Sequence, residues 1–261
     1  MAVSMRQLTE DLDAESSDLR RLVTALDDSG WRSPTPAVGW SVLDQLTHLA
    51  YYDEAAVRAA ESPERFAAEV RQPQPTPDDI AARFRSLPGA EALAWFERSR
   101  RRLIEVFAAL DPRTRLPWYG PPMSAATSLT SRIMETWAHG QDVADALGAT
   151  REPTARLRHI AHLGVQTRDF SYTLNGLQPP GTPVRVALTS PNGEVWVWGP
   201  PEAAGRVEGS ALDFCLVVTR RRAPSQTRLL ALGTEEERWL GLAQAYAAPR
   251  VTASAVHSAD R

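Results

Sequence analysis

The sequence predicts a mainly α-helical protein in two parts, a helical bundle over residues 1–177 and a small α+β domain over residues 178–261. Apolar residues recur with the 3.6-residue period of an amphipathic helix in five stretches before Asn175, which is typical of a bundle. After Pro179-Pro180 the pattern alternates on both sides of Asn192-Gly193, a strong signal for a β-hairpin.

The length, net charge and cysteine count of the chain limit the classes of function that need to be considered. The chain has 261 residues, enough for one large or two modest domains, and its net charge of -3 gives no reason to expect nucleic acid or an anionic membrane as a partner. All 29 basic residues are Arg, which indicates a GC-rich genome. The single cysteine excludes an internal disulfide, and we find neither a secretion signal nor a membrane-length apolar run. We therefore expect a cytoplasmic protein.

The first predicted helix covers residues 5–28. Its apolar stripe is interrupted by Glu15. A carboxylate at such a position lies either at an edge of the core or in a polar interior, so Glu15 is a weak site candidate.

A second helix is predicted from Ser41, which with Asp44 resembles a capping box. His48 follows, with Asp44 and Tyr52 one turn to either side, so we include both among the candidate pocket residues. Taken alone, a histidine at this position is most often a partly buried residue with satisfied hydrogen bonds and no function, and His48 gains interest only because another helix supplies Glu135 and His139.

The third helical region runs from Asp79 to Leu110, after a charged connection over residues 65–79, and Pro88-Gly89 can interrupt it. Arg100 occupies a core position of its apolar stripe. A buried guanidinium needs an anion or a carboxylate as partner, whereas the alternative is a side chain that extends to the surface.

The loop over residues 111–123 is rich in proline and holds Trp118 and Tyr119. These rings are interpreted either as a substrate wall or as an apolar plug beneath the loop.

The fourth helix is predicted from Ser124, its N-cap, to Gly148, just past its C-terminus. Glu135 and His139 are four residues apart and leave the same side of the helix, and Asp142 follows three residues later. A carboxylate and an imidazole in this arrangement can share a divalent cation. The alternative is an ordinary solvated helix face, because short motifs of this kind recur by chance.

A fifth helix is predicted over residues 155–174. The second domain is predicted to contain the hairpin, a short strand at residues 206–208, a helix capped by Ser210, and a last helix with a T-x-x-E box formed by Thr234 and Glu237. Cys215 is interpreted as a packed apolar residue rather than a reactive thiol, and His257 receives no role.

Only the bundle offers a converging set: His48 from the second helix with Glu135 and His139 from the fourth. Two histidines and one carboxylate are a usual complement for a catalytic metal site that leaves positions for water or substrate. Spacing alone does not show that the two helices face each other.

Three segments together, TPAVGWSVLDQLTHLAYYDE, PWYGPPM and METWAHGQDVADALG, resemble the DinB-like superfamily. Within it the chain resembles the branch that includes mycothiol-dependent maleylpyruvate isomerase, and an actinobacterial metal-binding family sometimes labelled "wyosine base formation". The resemblance implies a four-helix bundle with a divalent metal, usually zinc, held by His48, Glu135 and His139. Nickel and iron are the alternatives.

The resemblance further implies an enzyme in which a metal-bound thiolate, with mycothiol as the co-substrate, attacks an electrophilic small molecule. Asp142 and Asp44 are then expected beside the ligand histidines, with Arg100 and Arg222 as candidates for an anionic substrate group. The alternatives are a metal-dependent hydrolase, lyase or cyclase without a thiol, and a metal-containing small-molecule-binding protein. The oligomeric state cannot be predicted from the sequence.

Overall fold

The structure is a computed structural model that describes residues 4–246. The chain divides into two compact units, with the division between Ile160 and Ala161. His257 lies outside the described residues. Among the residues described, none of the helices has both the length and the apolar character needed to cross a membrane.

The first unit is built on four long helices, as the fold class predicts. They are α1 (Met5–Val23), α3 (Val42–Glu61), α6 (Gly89–Ala108) and α7 (Ala125–Leu147). Helix α3 packs against α6 and α7, and α1 packs against the same two helices. Shorter elements connect them, namely α2 (Asp28–Trp31), α4 (Pro63–Glu69), α5 (Pro77–Phe84), β1 (Arg115–Leu116) and β2 (Met123–Ser124).

The helix ends predicted from capping residues are confirmed for α3 and α7. Ser41 and Asp44 form a complete capping box at the start of α3. Ser124 accepts a hydrogen bond from the Thr127 amide at the start of α7, and Gly148 ends this helix with a φ of 63°, a conformation that glycine adopts without strain. The predicted interruption also occurs, since α6 begins at Gly89.

Apolar clusters fill the bundle, and two of them are large. One is centred on Leu12, Phe107 and Ile133, and the other on Leu19, Leu46 and Phe96. Helix α3 is buried around most of its circumference because neighbours cover several of its faces. Several of its polar residues, among them Gln45, His48 and Asp53, are therefore buried inside the protein, which is the condition for a site inside a bundle.

The second unit holds a four-stranded sheet with the order β4-β3-β5-β6. Its strands are β3 (Val184–Thr189), β4 (Val195–Trp198), β5 (Gly205–Ser210) and β6 (Leu230–Leu232); β3 and β5 are parallel and the other pairs antiparallel. The β3–β4 hairpin turns at residues 190–194, as predicted. Its helices are α9 (Arg168–Leu174), α10 (Ala211–Val218) and α11 (Thr234–Leu242), with a 3-10 turn at Pro224–Gln226, and the division between the units falls within α8 (Leu157–Gln166).

Some element predictions were wrong. The expected fifth helix is two helices, α8 and α9, separated at Thr167. The expected connection over residues 65–79 contains most of α4. Helix α11 has no side-chain cap, because its N-cap is Gly233 with a φ of 137°, so the predicted T-x-x-E box does not form.

The predicted domain boundary follows Leu177 and thus lies later than the structural division. Helix α9 packs on α11, where Tyr172 donates a hydrogen bond to the Glu235 carbonyl at 3.2 Å. Helix α8 approaches α10 so closely that a Cβ on Gly164 would lie 2.8 Å from a Val218 methyl carbon. These contacts belong to the second unit.

Candidate metal centre

Three side chains from two bundle helices converge on one point. His48 comes from α3, and Glu135 and His139 come from consecutive turns of α7. Glu135 Oε2 lies 3.2 Å from His139 Nε2 and 3.6 Å from His48 Nε2. Within residues 4–246, this is the group of three His, Cys, Asp or Glu side chains whose ligand atoms all lie within 4.8 Å of one another.

The spacing fits a divalent metal. Nitrogen and oxygen ligands at about 2.1 Å from a tetrahedral zinc ion stand about 3.4 Å apart. The two measured separations, 3.2 and 3.6 Å, bracket this value. Three protein ligands leave at least one coordination position for a molecule from outside, as in catalytic rather than structural zinc sites.

The protonation states also suit a metal. Burial and the neighbouring His139 lower the pKa of His48 to about 4, so its imidazole is neutral at pH 7. Burial alone would raise the pKa of Glu135, but its hydrogen bonds to His139 and His48 outweigh this and hold the pKa well below 4.5. Two of the three groups are thus already in the deprotonated form that binds metal.

Gln45, on the turn of α3 before His48, contacts the far side of the His139 ring. Its Oε1 is hydrogen-bonded to His139 Nδ1, and its Nε2 donates to Thr35 Oγ1 at 2.8 Å. Asp142, expected beside His139, is buried with Oδ2 3.9 Å from the same Nδ1, which is beyond hydrogen-bond distance. The catalytic role of Asp142 stays a prediction.

Asp44, expected to orient His48, faces the helix terminus. Its Oδ2 accepts hydrogen bonds from the Ser41 amide and hydroxyl, each at 2.8 Å, and its Oδ1 lies 3.5 Å from Arg85 Nε. Nδ1 of His48 is buried without a hydrogen-bond partner among the described residues. The structure therefore supplies no hydrogen bond between Asp44 and His48.

Aromatic rings line the site on two sides. The Trp40 ring lies parallel to that of His139, with centroids 6.0 Å apart, and 5.1 Å from the His48 ring. Tyr52 packs on His48 at 4.7 Å, and burial raises its pKa to about 12. Trp118 and Tyr119, at 6.3 and 5.7 Å from Tyr52, extend this wall.

Phe66 contacts both Trp118 and Tyr119, so the predicted loop residues also form an apolar plug. The two interpretations of the loop are compatible, because one face of this aromatic cluster packs on α4 while Tyr52 connects it to His48.

Arg100 is buried, as one of its two interpretations requires, and its partner is a carboxylate. Its Nε donates to Asp53 Oδ2 at 2.7 Å, and Nη1 is bonded to Ser16. Arg132 donates to the other oxygen of Asp53 at 2.9 Å and to the Leu49 carbonyl at 3.2 Å. Since Asp53 and Ser16 engage the guanidinium of Arg100, a substrate-binding role for Arg100 stays a prediction.

Glu15 is buried in a network of charges. Its two carboxylate oxygens bind Arg151 and Arg156, and Arg156 also binds Asp18. The polar-interior interpretation of Glu15 therefore holds, with arginines rather than a ligand as its partners.

The remaining candidates lie in the second unit. Arg222 follows α10 and, with Arg220 and Leu240, lines a cavity of about 350 Å³. Cys215 has no exposed surface, and burial raises the pKa of its thiol well above its usual range. The anion-binding role of Arg222 stays a prediction. The burial of Cys215 agrees with its interpretation as a packed apolar residue rather than a reactive thiol.

Sequence reasoning missed four residues around the site: Trp40, Gln45, Asp53 and Arg132. Trp40 and Gln45 lie in the segment TPAVGWSVLDQLTHLAYYDE, but their side chains are not usual metal ligands, so the search for ligands passed over them. Asp53 stands on an otherwise apolar face of its helix, between Leu49 and Val57, and that pattern break, like the one at Arg100, was the available signal. Arg132 stands beside Ser128, Glu135 and Thr136, so the sequence gives no such signal for it.

Fold and site together define a helical-bundle protein with an open His/Glu/His cluster between two of its helices. The family described as mycothiol maleylpyruvate isomerase N-terminal domain matches residues 12–144, and the one described as wyosine base formation matches residues 180–232. The chain belongs to the mycothiol maleylpyruvate isomerase N-terminal domain family.

Similar proteins support this membership. Two uncharacterized proteins of Mycobacterium tuberculosis, from strains CDC 1551 / Oshkosh and ATCC 25618 / H37Rv, are each 48% identical over 243 residues, covering 92% of this chain and 95% of theirs. The crystal structure of mycothiol-dependent maleylpyruvate isomerase matches with a TM-score of 0.62 at 17% identity, and that of its histidine-to-alanine mutant with 0.61 at 16%. Both structural matches cover 88% of this chain and 93% of the other, and at this identity they show the shared fold.

Proposed function

We propose that the chain is a divalent-metal-dependent enzyme that uses a low-molecular-weight thiol, mycothiol, against an electrophilic small molecule. The observation that carries this is the convergence of His48, Glu135 and His139 at separations that fit one metal ion with an open position. Family membership supports the thiol, since a solved structure of the same fold is that of a mycothiol-dependent maleylpyruvate isomerase.

His48, Glu135 and His139 would hold the ion, with zinc as the expected metal. Zinc held there would lower the pKa of a bound thiol and would so supply a thiolate nucleophile at neutral pH. Nickel and iron also bind histidine and carboxylate, and metal analysis distinguishes them.

The aromatic wall would position the organic part of the ligands. Trp40 and Tyr52 offer ring faces against His48, and Trp118 extends this wall from Tyr52. Because the pKa of Tyr52 is raised to about 12, its hydroxyl stays protonated and can donate a hydrogen bond to an anionic group. Arg222 stays a proposed anion-binding residue of the second unit.

The nucleophile has to come from outside the chain. Cys215, the one cysteine in the sequence, is fully buried on α10 with its thiol pKa raised by burial. A buried neutral thiol is a poor nucleophile. A small thiol from solution is therefore the expected nucleophile. The single cysteine also fits the cytoplasmic location expected from the sequence.

Metal analysis of the purified protein tests the ligand assignment. We expect about one zinc per chain in the wild type and in His159→Ala, and loss of the metal with retained helicity in His139→Ala. His159 is the matched control, because it binds Asp11 and lies outside the cluster. Stoichiometric metal in a His48→Ala, His139→Ala double variant would contradict the assignment.

Activity assays then distinguish the thiol-using enzyme from the alternatives that use no thiol. Thiol addition to a panel of electrophiles should require both mycothiol and the metal, and chelation should abolish it. Metal-dependent turnover in thiol-free buffer would favour the hydrolase, lyase or cyclase alternative.

A further inference from the structure

We propose that Asp78 is a positioning residue for the candidate metal centre, because its carboxylate fixes the indole ring of Trp40 against His48 and His139. The proposal rests on the proposed function for its consequence, which is the binding of an organic ligand beside the metal. The contact itself is a property of the metal-free chain. Asp78 lies on α5, which supplies none of the three candidate ligands.

The hydrogen bond between Trp40 and Asp78 has one possible direction. The indole nitrogen can only donate and a carboxylate can only accept, and Trp40 Nε1 lies 2.7 Å from Asp78 Oδ1. Hydrogen bonds to a charged acceptor are stronger than those between neutral groups. The one polar atom of the Trp40 ring is therefore held toward α5.

The backbone of Trp40 is fixed separately, by the loop before α3. Its amide donates to the Ala37 carbonyl at 2.9 Å, and its carbonyl accepts from the Thr35 amide at 2.8 Å. Arg85, at the C-terminal end of α5, donates to the Gly39 carbonyl at 2.8 Å. With the backbone held in this way, only the rotation of the side chain remains to be restricted.

Helix α5 is a firm support for this contact. A capping box between Thr76 and Asp79 closes its start. Ile80 and Ala81 are buried, and the helix packs on α3. Asp78 itself is exposed, so removal of its carboxylate leaves neither a buried charge nor a cavity and should not unfold the bundle.

The Trp40 ring that Asp78 holds forms one side of the cluster. It lies within 14° of parallel to the His139 ring, and its centroid is 5.1 Å from that of His48. A ligand bound beside these histidines would contact a ring that is already held in one orientation. Less side-chain freedom is then lost on binding, which strengthens the complex.

NMR of the indole groups in chelator-treated, full-length protein tests the contact, with the Trp40 signal assigned by the Trp40→Phe variant. In the wild type we expect slow solvent exchange of the Trp40 N–H and nuclear Overhauser contacts between its ring and those of His48 and His139. In Asp78→Ala the N–H should exchange faster and the ring contacts should weaken. Asp78→Asn loses the same charge from the first turn of α5 but keeps an acceptor oxygen, so it should retain the wild-type contacts.

Calorimetric titration of the zinc-loaded protein with mycothiol gives the second readout. We expect Asp78→Ala to weaken thiol binding by about 2- to 10-fold and Asp78→Asn to restore it, with zinc affinity unchanged in both. Glu54→Ala is the matched control, because it removes a carboxylate that accepts from the Trp95 indole at 2.6 Å. Trp95 packs on Phe84 rather than on a histidine, so thiol binding should not change.

Unchanged ring contacts in a folded Asp78→Ala variant would overturn the proposal. Wild-type thiol affinity in Asp78→Ala, or equal weakening in Asp78→Ala and Asp78→Asn, would overturn it as well. Absence of zinc or thiol binding in the wild type would instead refute the proposed function, while NMR of the metal-free protein would still decide whether Asp78 holds the Trp40 ring.

Discussion

The buried Arg100–Asp53–Arg132 group offers the sharpest prediction about stability. Asp53 has no exposed surface, and its two oxygens pair with guanidinium groups of α6 and α7 at 2.7 and 2.9 Å. Asp53→Asn keeps the side-chain shape but removes the charge that both arginines face. Breaking a buried ion pair by neutralising one partner costs about 3–5 kcal/mol.

For a chain of this size, each kcal/mol lowers the melting temperature by about 2–4 °C, so the substitution should lower it by about 6–20 °C. Differential scanning calorimetry of the metal-free protein measures the shift. Glu97→Gln is the control, because the Arg20–Glu97 pair spans 3.7 Å at the surface, where the loss should stay within about 0.5 kcal/mol. A shift for Asp53→Asn as small as that of the control would refute the reasoning.

The same group should matter for the proposed metal site. Arg132 joins Asp53 to the Leu49 carbonyl, next to His48, and lies one turn before Glu135 on α7. The group thus fixes α3 against α7, and we expect Asp53→Asn to weaken zinc binding as well as lower the melting temperature.

Three further predictions follow from single side chains. Cys215 should not react with a thiol-specific reagent in the native protein and should react once per chain in denaturant; native labelling would contradict its burial. The metal-free protein should lose stability as the pH falls from 6.5 to about 4, since the unfolded chain then protonates His48 while the native one does not. This contribution is at most about 3 kcal/mol, and urea unfolding of His48→Gln across that range should show a flatter profile if the reasoning holds. Glu15→Gln should destabilise the bundle by about 1–3 kcal/mol, because it removes the charge between Arg151 and Arg156; unchanged urea unfolding would count against it.

Local chemistry made much of the fold predictable. Ser41, Ser124 and Gly148 set helix ends through contacts with their own turns, and the Asn192-Gly193 turn lies within its own hairpin. Such signals act over a few residues, so one sequence suffices to find them. The break at Thr167 has no comparable signal, since neither glycine nor proline stands there.

The convergence of His48, Glu135 and His139 was predictable in part. The spacing of Glu135 and His139 on one helix places them together, whereas the approach of His48 depends on how α3 packs against α7 and came from the family resemblance. The partner of His139 was out of reach, because Gln45 is 94 positions away and a glutamine before a histidine has many uses. For Asp44 the spacing was misleading. It lies one turn from His48, which suggested a contact between them, but its carboxylate caps the helix by accepting from the Ser41 amide.

Calorimetric titration of the zinc-loaded protein with mycothiol tests the central claim most directly. The proposal predicts saturable binding near one thiol per zinc, absent from the His139→Ala variant and absent after chelation. Zinc bound at one ion per chain but no heat of binding at millimolar mycothiol would contradict the thiol-using function.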